Sequence, residues 1–339
     1  MAPTIHDVAR LAEVSIKTVS NVLNDYPHVR PATRQRVLDA IAALDYTPNL
    51  TARGLRSGRT GLINLIIPDL RNAYFAELAD VVVRTADARG LSVVIAQSRA
   101  ERERELDLLR GPRAQMVDGI LFSVQALGEQ DNELLGKVRT PLVLLGERIL
   151  QGPKDHVTMR NTAAARAATR HLLDQGRRRI LALGAELGEG VGSAALRLAG
   201  YRQALDEVGV PFDPALVVEL SGWFRSTGAA AMRDFLAGRV PFDGVVAFND
   251  VIALGAMRVL QEAGLRIPRD VAVVGFDDID ETRYSLPTLS TVDPGVDEIA
   301  EVAVRYLKER IDDPNAVIPP RQHLTAFRVV QRESSAPVR

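Results

Sequence analysis

The 339-residue sequence has no cysteine, which removes disulfides, thiolate metal sites and cysteine nucleophiles from consideration and is compatible with a reducing compartment. Its five histidines are scattered, without the spacing of a metal site. No apolar stretch approaches the roughly 20 residues needed to span a bilayer, and the N-terminus lacks the charged start and apolar run of a signal peptide. These absences point to a cytoplasmic protein without a membrane partner. Neither a Ser/His/Asp set nor paired carboxylates can be recognised, so no catalytic residue, metal or cofactor is assigned. An excess of either charge is also lacking: the net charge is -1, but residues 1–59 carry +3 and the remainder -4. A basic head on an acidic body fits nucleic-acid contact confined to the head.

That head contains Thr4-Ile-His-Asp-Val-Ala-Arg-Leu-Ala-Glu-Val-Ser-Ile-Lys-Thr-Val-Ser-Asn-Val-Leu-Asn24. Thr4 can cap a first helix whose Ile5, Val8, Ala9 and Ala12 share a face, and Ser15 can cap a second in which Val19, Val22 and Leu23 turn inward. Lys17, Thr18, Ser20, Asn21 and Asn24 are then left outside. Short polar side chains beside a lysine suit a recognition helix in the major groove of double-stranded DNA.

Beyond residue 61 the pattern changes to short apolar runs alternating with amphipathic segments, the mark of βα units around parallel sheets. Strands are predicted at 62–67, 91–96, 119–123, 142–145, 180–183, 216–220, 244–248 and 271–276. Helices at 73–89 and 250–263 are closed by Gly90 and Gly264. Length alone suggests two to three domains. Residues 46–60, with Pro48, Gly54 and Gly58, are the expected linker.

Three consecutive pieces carry a family likeness: the segment 4–24, the run Val29-Arg-Pro-Ala-Thr-Arg-Gln-Arg-Val-Leu-Asp-Ala-Ile-Ala-Ala-Leu44, and Asp45-Tyr-Thr-Pro-Asn-Leu-Thr-Ala-Arg-Gly-Leu-Arg-Ser-Gly-Arg-Thr60. Together they resemble the headpiece, third helix and hinge of the LacI/GalR transcription regulators. The resemblance implies an all-α helix-turn-helix headpiece at 1–48 and a hinge helix and linker at 49–60. A two-lobed α/β body of the periplasmic-binding-protein-like type would occupy 61–339. Lobe 1 would take about 61–160 and 291–320; lobe 2 would take about 161–290 and 321–339, including a C-terminal strand at His323–Val330.

By the same likeness the expected DNA contacts are Thr4, Ser15, Ile16, Lys17, Thr18, Ser20, Asn21, Asn24 and His28, joined from the hinge by Asn49, Ala52, Arg53, Leu55 and Arg56. Leu55 corresponds to the leucine that wedges into the minor groove, at a cost of a few kcal/mol in unstacking offset by contacts the bend permits. Homodimers would read a pseudo-palindromic operator. Four residues depart from the family pattern. Glu13 and Asp45 stand where glycine is usual, Gly54 interrupts the hinge helix, and Arg160 replaces an acidic residue.

Ligands of parallel α/β lobes lie beyond the carboxyl ends of strands. Asn72, Tyr74, Phe75, Ser193, Arg197, Trp223, Asn249 and Asp277 fall there, with Glu147 and Arg148 as further candidates and apolar Val191 nearby. A tryptophan can stack on a sugar ring or a base, an arginine offers a fork of donors, and Asn249 with Asp277 suits vicinal hydroxyls. The segments Ser193–Tyr201, Ala247–Ala256 and Val273–Asp278 resemble those lining the family's effector cleft. The Gly-rich stretch Gly184–Gly192 meets neither phosphate-binding fingerprint, and its Glu186 and Glu189 would repel a pyrophosphate. The expected function is therefore a repressor whose operator affinity is lowered by a sugar or sugar derivative. The alternative is a corepressor-dependent regulator sensing a nucleoside-like or phosphorylated metabolite; an α/β enzyme is the reading from a different class.

Overall fold

The computed structural model describes residues 3–23, 26–46, 59–187 and 191–337. The chain divides into two compact units, Met1–Thr60 and Gly61–Arg339.

In the first unit, α1 (Ile5–Leu11), α2 (Ile16–Leu23) and α3 (Pro31–Ala43) surround a core of Val8, Ala9, Ala12, Val19, Val22, Val37 and Ala40. Ile5, Ile16 and Leu23 pack partly buried against it. At the start of α1 the Asp7 carboxylate accepts the Thr4 amide at 3.0 Å and the Thr4 hydroxyl at 2.7 Å. Ser15 Oγ caps α2 by accepting the Thr18 amide at 3.1 Å. The bonds to the two amides satisfy backbone donors that a helix start leaves open, whereas the Thr4 hydroxyl, expected to accept an amide, donates to Asp7 instead.

Glu13 and Asp45 both adopt left-handed backbone, with φ of 52° and 46°. The turn between α1 and α2 thus demands the conformation glycine supplies freely, and aspartate tolerates it better than glutamate. Glu13→Gly is expected to stabilise this unit by about 0.5–1 kcal/mol, after allowing for glycine's larger unfolded-state entropy. Thermal unfolding of the full chain followed by a headpiece-specific probe would show it. A lower midpoint would mean that the Glu13 side chain supplies a compensating contact.

The second unit is built on two parallel sheets. The first contains β1 (Leu62–Ile67), β2 (Ser92–Gln97), β3 (Gly119–Ser123), β4 (Leu142–Leu145) and β5 (Asp155–Thr158). The second contains β6 (Ile180–Ala185), β7 (Val217–Glu219), β8 (Gly244–Ala247) and β9 (Ala272–Val274), in the order β7-β6-β8-β9. Both faces of β1 are buried: Ile63, Leu65 and Ile67 meet helix Ala73–Asp87 through Leu78 and Val82, while Ile66 joins the cluster of Ile120 and Phe122. That two-sided burial explains why the strand reads as an unbroken apolar run. Gly90 and Gly264, with φ of +70° and +78°, end their helices as expected.

The chain crosses between lobes three times, near residues 159–161, 293–295 and 325–327. After β10 (Thr291–Asp293), helix Val296–Asp312 returns to the first sheet, where Leu307 packs against Gly119 of β3. The single C-terminal strand expected at 323–330 is instead two. β11 (Gln322–Leu324) pairs parallel with β5, completing the order β11-β5-β4-β3-β1-β2, and β12 (Arg328–Val330) pairs antiparallel with β10. The run contains no glycine or proline to announce the break. Thr325 makes it, donating its amide to Thr158 O at 3.0 Å and its hydroxyl to Pro294 O at 2.8 Å, so the edge of the first sheet and the separate strand β10 each receive three residues.

Candidate functional site

On the first unit, Lys17 is exposed and Thr18, Ser20 and Asn21 are half-exposed along α2. The side chains of Lys17 and Asn21 make no hydrogen bond or ion pair among the described residues. Thr18 shares its hydroxyl with Ser15 at 2.9 Å, and Ile16 leans on the core, so these two also hold the helix in place. His28 is exposed, with its ring 5.4 Å edge-on from Tyr26. Asn24, Asn49, Ala52, Arg53, Leu55 and Arg56 lie outside the described residues.

On the second unit, the strand ends of the two lobes face a cleft of about 1160 Å³, and all eight residues anticipated for a ligand line it: Asn72, Tyr74, Phe75, Ser193, Arg197, Trp223, Asn249 and Asp277. Glu147 and Arg148 line it as well; Val191 does not. Asn249 shows how a helix cap and a cleft residue can be the same side chain. Its Oδ1 accepts the Ile252 amide at 2.9 Å, while its Nδ2 is buried without a hydrogen-bond partner among the described residues. Thr158 Oγ1, also on the cleft wall, is likewise buried and unpartnered. Buried polar atoms of this kind are costly unless something completes them.

A chain of hydrogen bonds runs under the cleft. Ser193 Oγ donates to Glu147 Oε2 and Asn161 Nδ2 to Glu147 Oε1, both at 2.7 Å, and Asn161 Oδ1 accepts Arg197 Nε at 2.7 Å. Arg197 continues to the Phe248 carbonyl, rests 3.5 Å from the Phe276 ring centroid, and holds Nη2 3.8 Å from Asp277 Oδ1. Trp223 is fixed by its Nε1 donating to Gly184 O at 3.2 Å. Asn161, on the first lobe crossing, was missed in sequence; it adjoins Arg160, which is exposed and does not line the cleft. Asp69, Arg71, Gln97 and Phe224 also line it. Asp278, by contrast, is tied to Arg332 at 2.5 Å and Arg283 at 3.1 Å, and Asp250 accepts Thr291 Oγ1 at 2.6 Å; neither lines the cleft.

Burial pushes the Asp277 carboxyl up to about 7, opposed by Arg197 and reinforced by Glu147 and Glu77. The same burial, with Asp277 and Glu147 nearby, raises the Tyr74 phenol well above its ordinary value, so it stays protonated as a donor. A ligand whose hydroxyls donate to Asp277 selects the carboxylate. Its affinity is therefore expected to climb with pH, by up to about tenfold per unit below 7, and to level off above it. Since the folded value lies above the ordinary one, the unliganded body should lose stability as pH rises from about 4 through 7. Calorimetric titration from pH 5.5 to 8.5 tests the binding arm; an affinity flat with pH would remove Asp277 from ligand contact.

Residues 4–49 match the family described as bacterial regulatory proteins, lacI family, and residues 169–335 match a periplasmic binding protein-like domain. The chain is 32% identical to the HTH-type transcriptional regulator RegA of Clostridium saccharobutylicum, an alignment covering 99% of this chain and 100% of the relative. Two solved structures are also similar. A complex of the transcriptional regulator CelR with cellobiose is 31% identical, with a TM-score of 0.71 and coverage of 98% and 99%. The Lac repressor dimer bound to operator and the anti-inducer ONPF is 27% identical, with a TM-score of 0.84 and coverage of 99% of both chains.

A helix-turn-helix head and a two-lobed ligand-binding body define a DNA-binding transcription regulator. The chain belongs to the LacI family of bacterial regulatory proteins.

Proposed function

We propose that the protein is a homodimeric repressor whose operator affinity falls when a sugar or sugar derivative occupies the cleft. The observation that carries the ligand assignment is the convergence of Asn249, Asp277, Arg197 and Trp223 on one space where Asn249 Nδ2 and Thr158 Oγ1 lack partners among the described residues. Donors, acceptors and an aromatic face there match a polyhydroxylated ring. The cellobiose of the CelR complex supports a sugar, and the operator-bound Lac repressor dimer supports a pair of heads on DNA.

In this reading residues 1–48 form the DNA-binding headpiece, 49–60 the hinge, and 61–339 the effector-binding body. Lys17 and Asn21 read bases, helped by Thr4, Ser15, Ile16, Thr18, Ser20, Asn24 and His28. From the hinge, Asn49, Ala52, Arg53 and Arg56 contact DNA and Leu55 wedges the minor groove. The body works by binding rather than catalysis, as expected of relatives that are transcriptional regulators. Among the described residues no helix is long and apolar enough to cross a membrane, and a cytoplasmic regulator is the corresponding proposal.

The lobes touch across the cleft through the Asp280 amide donating to Glu77 Oε1 at 2.7 Å and through Ser193 with Glu147. A ligand that alters the lobe angle alters hinge support, and by linkage it binds the DNA-bound form more weakly by the same factor by which it lowers DNA affinity. Selection from a random DNA pool, followed by operator titration at several salt concentrations with neutral sugars present, tests the whole. A pseudo-palindrome, a steep salt slope and relief by a sugar are expected. Failure to enrich any sequence would sink the repressor reading; tighter operator binding with the ligand would reverse its sign.

A further inference from the structure

Resting on the sugar reading above, we infer that the effector is a neutral saccharide of at least two rings. The cleft of about 1160 Å³ lies above the ~300–1,000 Å³ usual for drug-sized ligands. At ~30 Å³ of liquid volume per water, the space holds on the order of forty waters, far more than one pyranose with its dozen non-hydrogen atoms displaces.

Two aromatic side chains line it, on the consecutive residues Trp223 and Phe224. The Trp223 ring lies 5.2 Å from the Arg197 guanidinium, so it belongs to the end where Arg197 and Asp277 meet. The Phe224 ring instead faces the Arg71 guanidinium of the other lobe, also at 5.2 Å. One pyranose on Trp223 leaves the Phe224–Arg71 pair without a ligand contact. A second ring reaches the part of Phe224 that Arg71 leaves uncovered and sets hydroxyls toward the Asp69–Arg71 pair.

Charge favours a neutral ligand. Among the described residues, five acidic side chains and four arginines line the cleft, and Arg71 is already occupied by Asp69 at 2.6 Å. A phosphorylated ligand would need the cationic excess that this lining lacks.

Calorimetric titration of the full-length protein against neutral mono-, di- and trisaccharides, including glucose, maltose and cellobiose, with glucose 6-phosphate alongside, reads the proposal directly. The best ligand is expected to be a disaccharide or longer, at least tenfold tighter than its own constituent monosaccharide. Phe224→Leu should cut that ratio by fivefold or more. If Phe224→Leu fails to fold, Arg71→Ala at its exposed position is the substitute and should lower the same ratio. A monosaccharide binding as tightly as its disaccharide overturns the two-ring proposal and leaves the sugar reading standing. Preference for glucose 6-phosphate overturns neutrality. No saccharide binding by a protein that still binds its operator overturns the sugar reading itself.

Discussion

Gly200→Ala is expected to cost about 3 kcal/mol, near the upper end of overpacking penalties, and to lower the melting temperature of the body by roughly 6–12 °C. A methyl group at Gly200 would sit 2.1 Å from Thr162 O and 2.8 Å from Arg166 N, backbone atoms of the neighbouring helix Asn161–Asp174. Backbone cannot swing aside as a side chain does, so the two helices must separate. They carry the functional residues: helix Ser193–Glu207 supplies Ser193 and Arg197, and the other begins with Asn161. The 2.7 Å bond between Arg197 Nε and Asn161 Oδ1 should stretch with them, weakening effector binding at temperatures where the chain is still folded. Gly90→Ala is the control. Nothing lies within 4 Å of its added methyl group, so only the left-handed backbone at φ +70° resists, at about 1 kcal/mol. Equal melting temperatures for the two variants would show that the helix pair relaxes freely at Gly200.

The contrast between Gly90 and Gly200 also marks what a sequence reveals. Gly90 is legible because it follows an amphipathic run and does a local job. Gly200 lies mid-helix, where only a partner helix distant in sequence explains it. The cleft residues were legible for a similar reason: strand ends are found from apolar runs, and the polar residues after them share one side of the sheet by construction. β5 was illegible because Asp155-His-Val-Thr158 has no apolar run. Its buried Asp155 is satisfied by Arg310 and Arg321, both at 2.9 Å, whose approach only the fold could show. Asn161 was missed because its partners Glu147 and Arg197 come from both lobes. The positions of Glu13 and Asp45 could be read against a family habit, and their left-handed backbone supplies the physical cause.

Arg197→Ala is the substitution expected to separate the two halves of the switch. Of the five N–H donors of Arg197, three are engaged, by Asn161, by the Phe248 carbonyl and weakly by Met159 Sδ at 3.8 Å. Two remain for a ligand beside Asp277. Hydrogen bonds from a charged donor contribute about 1.5–3 kcal/mol, so effector affinity should fall by tenfold to more than a hundredfold, and operator binding should cease to respond. Breaking a buried pair ordinarily costs about 3–5 kcal/mol because the remaining charge is stranded. Asp277, already pushed up to about 7, escapes part of that cost by taking a proton. Losing Arg197 raises its pKa further, because Arg197 is the group that lowers it, so any residual affinity should begin its climb at a higher pH than in the parent. Arg197→Ala combined with Asp277→Asn should therefore be less destabilised than the sum of the single changes, since one buried charge no longer lacks the other. Operator titration with and without effector, run beside thermal unfolding, reads all three consequences. An Arg197→Ala protein that still releases its operator at the parent's effector concentration would place the regulatory site somewhere other than this cleft.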